Sequence, residues 1–356
     1  MILQHLPKDN SGRYAGIDIF RGVAIFTMLM ANSAAGSLAA PHHFWIRIYG
    51  SFAAPIFVFL AGFMVGIGYQ KHPLTYFIKR GLEIILVGAL IDLIIWRIIP
   101  GTTFDVLYLT GFGIPVAAFT LKLKTPLRIA LCILFFALGP ILQCLFYYEP
   151  MVHEFTIDGV LLTQYTAHFS FAHTFHWWIK SWLFDGWFPV FPWLGFIMLG
   201  TLVFTHGSRI IKNVGIFIPL GLILFLGGLT WLFYHRPIGD REGYSELFYP
   251  PGIAYICAAL GAITIGVSFL KFLKPVFPLN LLRYLGSCSL FIYIFHSAII
   301  YFILDNYFTD LSLPKYLMMY AVFAAFMILC AWILFELKKT EGWKKMPKVL
   351  KFIFGG

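Results

Sequence analysis

Ten stretches of about twenty mostly apolar residues recur along the chain, near 16–36, 50–70, 76–97, 104–121, 127–147, 187–206, 210–234, 251–270, 284–304 and 316–337. A run of that length and character is what an α-helix needs to cross a bilayer. Composition agrees: 60% of the 356 residues are hydrophobic and only 12% charged, against about 45–50% and about 25% in a soluble domain. A soluble enzyme of this size could not hide that much apolar surface, and the same figures exclude a disordered chain, a collagen or a coiled coil. The expected fold is all-α: a polytopic integral membrane bundle of about ten transmembrane helices, one domain over 1–356.

Charge sets the orientation. Lys+Arg 26 against Asp+Glu 16 gives +10, which in a soluble protein would point to nucleic acid. In a membrane protein basic loops mark the cytoplasmic side, so no nucleic-acid partner is expected. With the N-terminus inside, nineteen of the 26 Lys and Arg residues fall on the inner face. They are Lys8, Arg13, Lys71, Lys79, Arg80, Lys122, Lys124, Arg128, Arg209, Lys212, Lys271, Lys274, Arg283 and the tail lysines 338, 339, 344, 345, 348 and 351. Arg47, Arg97, Lys180, Arg236, Arg241 and Lys315 are left outside, and Arg21 lies within the first span. Both termini are therefore expected in the cytoplasm. The N-terminus has no apolar signal-peptide core, so no cleaved leader is expected. The chain is expected in a bacterial inner membrane, with lipids around it and self-association left open.

One long connection, 148–186, falls on the outer face and is rich in aromatics and histidine: His153, His168, His173, His176, Trp177, Trp178 and Trp182. It is either an interfacial aromatic belt or a cap over a sugar site, since aromatic faces stack on the apolar faces of sugar rings. Its histidines lack metal-ligand spacing, and the five cysteines form no CxxC pair; no metal is expected.

Polar groups inside spans are costly, by at least about 2.5–3.5 kcal/mol for a charge on insertion scales, and so invite a functional explanation. The first span is the densest, with Asp18, Arg21 and Asn32, followed by His42 and His43. Asp18 and Arg21 are three apart on one helix face and can neutralise each other as a structural ion pair. Asn32 lies roughly 16 Å beyond Arg21 along the same helix; it makes either an interhelical hydrogen bond or a site contact. Histidine is the usual general base at neutral pH, so His42 and His43 are base candidates as well as ordinary loop residues. His296, inside the ninth span, is either a packed core group or one that lines a site. Arg80 and Glu83 repeat the three-residue spacing of Asp18 and Arg21.

The segment 13–32, RYAGIDIFRGVAIFTMLMAN, resembles the first catalytic span of the heparan-alpha-glucosaminide N-acetyltransferase family, part of a wider group of transmembrane acyltransferases. The shared signature is Asp18, then Phe20-Arg21-Gly22, then Asn32 eleven residues after the Arg, then His43 eleven after the Asn. Pro55, Phe57, Val58, Phe59 and Gly62 resemble the family's second span, and 188–200, 249–261 and 282–300 fit bacterial members of the group. The resemblance implies acetyl-CoA as co-substrate and a sugar or glycan acceptor outside the cytoplasm. It also implies catalytic roles for His43 and Asn32, with His42 as substitute base. Charge matching adds Arg21, Lys79, Arg80, Lys122, Lys124 and Lys271 as candidates for the nucleotide. In this expectation His43 takes a proton from the acceptor while Asn32 bonds the thioester carbonyl or holds the acceptor; an acyl-His intermediate is the alternative. Rival functions are transfer of another acyl group, such as succinyl, to a periplasmic glucan or lipid-linked sugar, and transport of a glycan or lipid. A transporter should show two related halves with paired broken spans, and none is visible.

Overall fold

Helices occupy all ten apolar stretches, but glycine decides which of them touch. The computed structural model describes residues 1–355 except 10–11, 40–41, 103, 147–152, 158–159, 165–178, 235–246 and 248–250. In chain order the helices are α1 (Ala15–Ser37), α2 (Phe44–Ser51), α3 (Ala53–Tyr69), α4 (Leu74–Ile91), α5 (Val106–Thr120) and α6 (Thr125–Phe146). They continue with α7 (Val190–His206), α8 (Ser208–Lys212), α9 (Val214–Tyr234), α10 (Ile253–Phe269), α11 (Leu279–Ser287), α12 (Ser289–Ile299) and α13 (Leu313–Leu337). Two short helices follow, Glu341–Lys345 and Lys348–Ile353. The single exception to helix among the described elements is an antiparallel pair of short strands, His153–Ile157 and Val160–Gln164, inside the 148–186 connection.

Among the described residues, six segments are long and apolar enough to cross a membrane: Ala15–Ser37, Phe44–Tyr69, Thr125–Phe146, Val214–Tyr234, Ser289–Tyr307 and Leu313–Leu337. Three others, α5, α7 and α10, are apolar but shorter. The stretch expected as the third span is cut by Lys79, Arg80 and Glu83 near its start and by a widened helical turn, Asp92–Trp96, at its end. The ninth is split at Cys288, where φ −120° and ψ 27° separate α11 from α12. Beyond Ile299, α12 runs through a second widened turn, Ile300–Leu304, into Asp305–Tyr307.

Four helix pairs are zipped by reciprocal glycines. A Cβ on Gly22 of α1 would overlap the Leu282 carbonyl of α11, and one on Gly286 would overlap the Asp18 carbonyl in return. The same exchange joins Gly62 and Gly200 (α3 with α7), Gly81 and Gly111 (α4 with α5), and Gly221 and Gly261 (α9 with α10). Lipid tails give apolar side chains little reason to prefer one another, so close backbone approach at small residues supplies the specific contact. Gly200→Val, whose added carbons would meet the Phe59 carbonyl and the Phe63 amide, should therefore cost about 1–3 kcal/mol or more as overpacking. It would be read as a lower melting temperature and less monodisperse protein in detergent. Gly227→Val, with nothing within 4 Å of its added carbon, should leave both unchanged.

Helix α1 lies between two buried clusters. Ile17, Phe20 and Ala24 pack with Phe59, Phe63, Trp193, Phe196 and Tyr255. Ile25, Leu29, Met30 and Ala34 pack with Leu285, Ile292, Tyr316 and Met327 of α11–α13. By contrast α6 and α9 are peripheral and expose Ile133, Leu134, Ile216 and Ile223. Their outer faces offer apolar surface of the kind that suits lipid. The helix carrying the densest polar set is thus the central helix of the molecule.

Candidate active site

Two cavities open at opposite ends of the same helices. The first, about 210 Å³, is walled by the C-terminal half of α1 (Ala31, Asn32, Ala35, Gly36), the α2–α3 junction (Gly50, Ala53, Ala54) and the start of α5 (Asp105, Val106). Trp96, Trp187, Phe188, Ser297, Ile300 and Asp305 complete it. The second, about 430 Å³, is walled by the N-terminal end of α1 (Arg13, Arg21), the end of α3, the start of α4 (Tyr76, Phe77, Arg80) and the α11–α12 junction (Ser287, Ser289, Leu290). Phe57 and Tyr293 belong to both walls. These two rings are all that the cavities share, so they form the partition between an arginine-lined chamber and a chamber holding amide, hydroxyl and carboxylate groups.

Tyr293 is held in that partition by its hydroxyl, which donates to Asp105 Oδ2 at 2.5 Å. The other oxygen of Asp105 accepts from the Val106 amide at 2.6 Å and so caps α5. Asp92 is similarly occupied, accepting from Tyr108 Oη at 2.6 Å and from the Gly101 amide at 3.0 Å. Both buried carboxylates serve as struts. Asp305 differs: its Oδ1 is buried and has no hydrogen-bond partner.

Asn32 Nδ2 lies 2.9 Å from His296 Nε2, and His296 Nδ1 lies 3.0 Å from the Ile292 carbonyl. A carbonyl can only accept, so Nδ1 carries the proton and Nε2 accepts from the Asn32 amide. His296 is fully buried and both of its ring nitrogens are engaged. It therefore acts by fixing the Asn32 carboxamide, which lines the first cavity and has a second N–H and a carbonyl oxygen not used in this bond. The two residues are 264 apart in sequence; an intramembrane polar group is visible in sequence, but which other one it meets is not.

At the opposite end Asp18 receives two cations. Arg13 donates to both of its oxygens at 3.2 Å, and Arg21 stands 3.7 Å away while donating to the Gly286 carbonyl at 3.2 Å. One carboxylate cannot neutralise two guanidinium groups, so the chamber keeps a net positive charge. Arg80 adds to it, 3.8 Å from the half-exposed Glu83 and 4.0 Å from the Phe352 ring of the C-terminal segment. That segment also reaches the chamber through Gly355, whose carbonyl accepts from Lys338 Nζ at 2.9 Å. Burial lowers the Lys338 ammonium below the ordinary lysine range.

Of the residues matched to a nucleotide by charge, Arg21 and Arg80 line this chamber. Lys79 is exposed, 4.0 Å from Glu83, while Lys122 and Lys124 are exposed on the α5–α6 turn away from it. Lys271 donates to the Ile211 carbonyl. Those lysines share the sign expected of their loops but not the wall, since a topology signal does not say which way a side chain faces. Arg13, Tyr76 and His72 also line the chamber, and no motif or spacing in the sequence marks them for it. His72 and Tyr76 stack, with ring centres 4.1 Å apart.

The two loop histidines do not meet Asn32. His42 is half-buried, with Nε2 3.1 Å from the Leu38 carbonyl. His43 is exposed at the N-terminal cap of α2, and neither histidine lines the first chamber. In the outer connection, His168, His173, His176, Trp177 and Trp178 lie outside the described residues, as do Arg236 and Arg241. Trp182 is described: its indole donates to the Gly101 carbonyl at 2.8 Å and so pins the end of the connection to the α4–α5 loop. Among the described residues no group of three or more His, Cys, Asp or Glu could hold a metal ion.

A comparison with curated proteins finds no match. Residues 13–237, from the Arg that shares Asp18 to just past α9, match the family model described as heparan-alpha-glucosaminide N-acetyltransferase, catalytic.

Proposed function

Because the chain belongs to the heparan-alpha-glucosaminide N-acetyltransferase family, whose members are membrane acetyltransferases, we propose that it moves an acetyl group from acetyl-CoA in the arginine-lined chamber to a sugar in the other. The donor is cytoplasmic and the acceptor extracytoplasmic. The bundle crosses a bacterial inner membrane with both termini on the arginine side, using the shorter helices α5, α7 and α10 as spans alongside the six long ones. The observation that carries this reading is the pair of chambers back to back, with Phe57 and Tyr293 as their common wall.

The donor's phosphates are polyanionic, and the excess guanidinium charge around Asp18 and Arg80 suits them. The stacked His72–Tyr76 pair offers an aromatic face to the adenine. The thin pantetheine arm then passes between Phe57 and Tyr293 and presents its thioester beside Asn32. As the acceptor attacks, a C–N or C–O bond forms, the C–S bond breaks, and the electron pair leaves on the CoA sulfur. Charge that builds on the carbonyl oxygen is met by the free N–H of Asn32, already oriented by His296. The acceptor's proton goes to His43, the base that the family resemblance implies, which stands exposed at the start of α2. His42 is the substitute in that role.

A reconstituted system tests the reading. With radiolabelled acetyl-CoA outside vesicles and glucosamine inside, labelled N-acetylglucosamine should accumulate in the lumen. No consumption of thioester, or loss of unmodified glucosamine from the vesicles, would instead point to a transporter. Succinyl transfer at a higher kcat/KM than acetyl transfer would move the donor to a larger acyl group. The donor site has its own check: Arg80→Ala should raise KM for acetyl-CoA by about three- to tenfold with kcat little changed, the effect of one partly exposed charge on a phosphate. Lys122→Ala and Lys124→Ala should leave it unchanged.

A further inference from the structure

A third cavity, about 560 Å³, lies outside both chambers. Its wall is made by the segment before α1, the α10–α11 connection, Arg283 of α11 and the end of α13. Four cations, Lys8, Lys274, Arg283 and Lys339, line it with a single carboxylate, Asp9. That carboxylate is already occupied within the protein: Arg283 donates to Asp9 Oδ2, and Asp9 Oδ1 accepts from the Arg13 amide at 2.9 Å. Lys274 is exposed and makes no hydrogen bond or ion pair among the described residues. Arg283 Nε is buried without a hydrogen-bond partner. Lys339 Nζ bonds Glu336, which is not part of the wall, and also stands 4.7 Å from the centre of the Phe335 ring. The same ring carries the Arg283 guanidinium at 5.1 Å. A buried N–H without an acceptor and an excess of cations together call for an anion.

The apolar rim decides which anion. Val276 and Phe277, close after Lys274, are exposed, Phe277 by 82%. On α13 the exposed Trp332 comes three residues before Phe335, hence on the same helix face and about 4.5 Å further into the span. Exposed aromatic side chains beside cations at the end of a long apolar helix are the pattern of a membrane boundary, and α13 is such a helix. A free phosphate or a nucleotide would meet the cations and leave that apolar surface uncovered. A phospholipid brings a phosphate to the first and acyl chains to the second.

We infer that this groove holds the phosphate of an anionic phospholipid, with Lys274, Lys339 and Arg283 on the headgroup and an acyl chain running along α13 past Trp332. Basic pockets between the ends of membrane helices take headgroups of this kind. The bound lipid would tie the segment before α1 to α11 and α13. The site stands apart from the acetyl-transfer reading and does not depend on it.

Native mass spectrometry of the purified full-length protein tests the inference, with dioleoyl phosphatidylglycerol against dioleoyl phosphatidylcholine, which share their chains and differ in headgroup charge. Wild-type protein should bind the first phosphatidylglycerol at least about tenfold more tightly than phosphatidylcholine. Lys274→Gln combined with Lys339→Gln, both at exposed positions, should bring the two lipids within about twofold. Lys345→Gln combined with Lys348→Gln removes the same charge from exposed positions outside the groove and should keep the preference. Neither excess glycerol phosphate nor excess acetyl-CoA should displace the lipid from wild-type protein. No preference in wild type, a preference that survives the loss of Lys274 and Lys339, or one lost equally with Lys345 and Lys348 overturns the site. Displacement by glycerol phosphate would make it a free-phosphate site, and displacement by acetyl-CoA a nucleotide site; either result overturns the lipid assignment.

Discussion

Asn32→Ala is expected to lower kcat by about 10²–10³-fold, the usual loss when one oxyanion donor is removed, with KM for acetyl-CoA little changed. The reason lies in how the side chain is held. His296 accepts one N–H of the carboxamide and is itself locked to the Ile292 carbonyl, so the carboxamide is fixed before substrate arrives and costs no reorganisation during reaction. Asn32→Asp should fare no better, since it replaces a donor with an acceptor. His296→Ala should cost less, about tenfold, because it loosens the amide without deleting it. It should add almost nothing to Asn32→Ala, as two residues acting as one unit are not additive. Steady-state rates on monodisperse protein check all four variants, and an additive double mutant would separate His296 from Asn32.

His43→Ala should lower turnover by about 10²–10⁴-fold, the range for a general base, while the protein still inserts and folds. His43 caps α2 through its backbone, with its carbonyl accepting from the Ile46 and Arg47 amides. No packed core is lost with the exposed side chain. His42→Ala is the comparison: its ring is tied to the Leu38 carbonyl, so its loss should be felt more in melting temperature than in rate. If His43→Ala keeps normal acetyl transfer and His42→Ala loses it, the proton passes to His42. If both variants stay active, the base belongs to the chamber itself.

What could be seen beforehand follows what each signal encodes. The apolar runs gave the helices because length and hydropathy are local properties. Asp18 and Arg21 were visible as a pair because three residues on a helix is a fixed geometry; Arg13, joining them from outside the helix, follows no such spacing. Asn32 stood out as a polar group in an apolar helix, whereas His296 as its partner required knowing that α1 and α12 meet. Charge matching offers Lys122 and Lys124 to the nucleotide; neither lines the arginine chamber, since charge alone does not tell a wall from a loop. Asp105 carried an unused signal, an acid directly before an apolar run, which is where a helix cap belongs. Asp305 had none beyond an acid at a span's end. The reciprocal glycines could not be matched in pairs from sequence, since each is informative only beside its partner.

Those glycines also bear on how a donor could get through. Where two helices meet backbone to backbone, little give remains between them, so each zipped pair is expected to behave as one stave. Phe57 rides on α3, bound to α7 by Gly62 and Gly200, while Tyr293 rides on α12, just past the Cys288 break from the α1–α11 stave. Widening the gap between those two rings therefore falls to the seam where staves abut. The joint at Cys288 is the natural place for it to hinge.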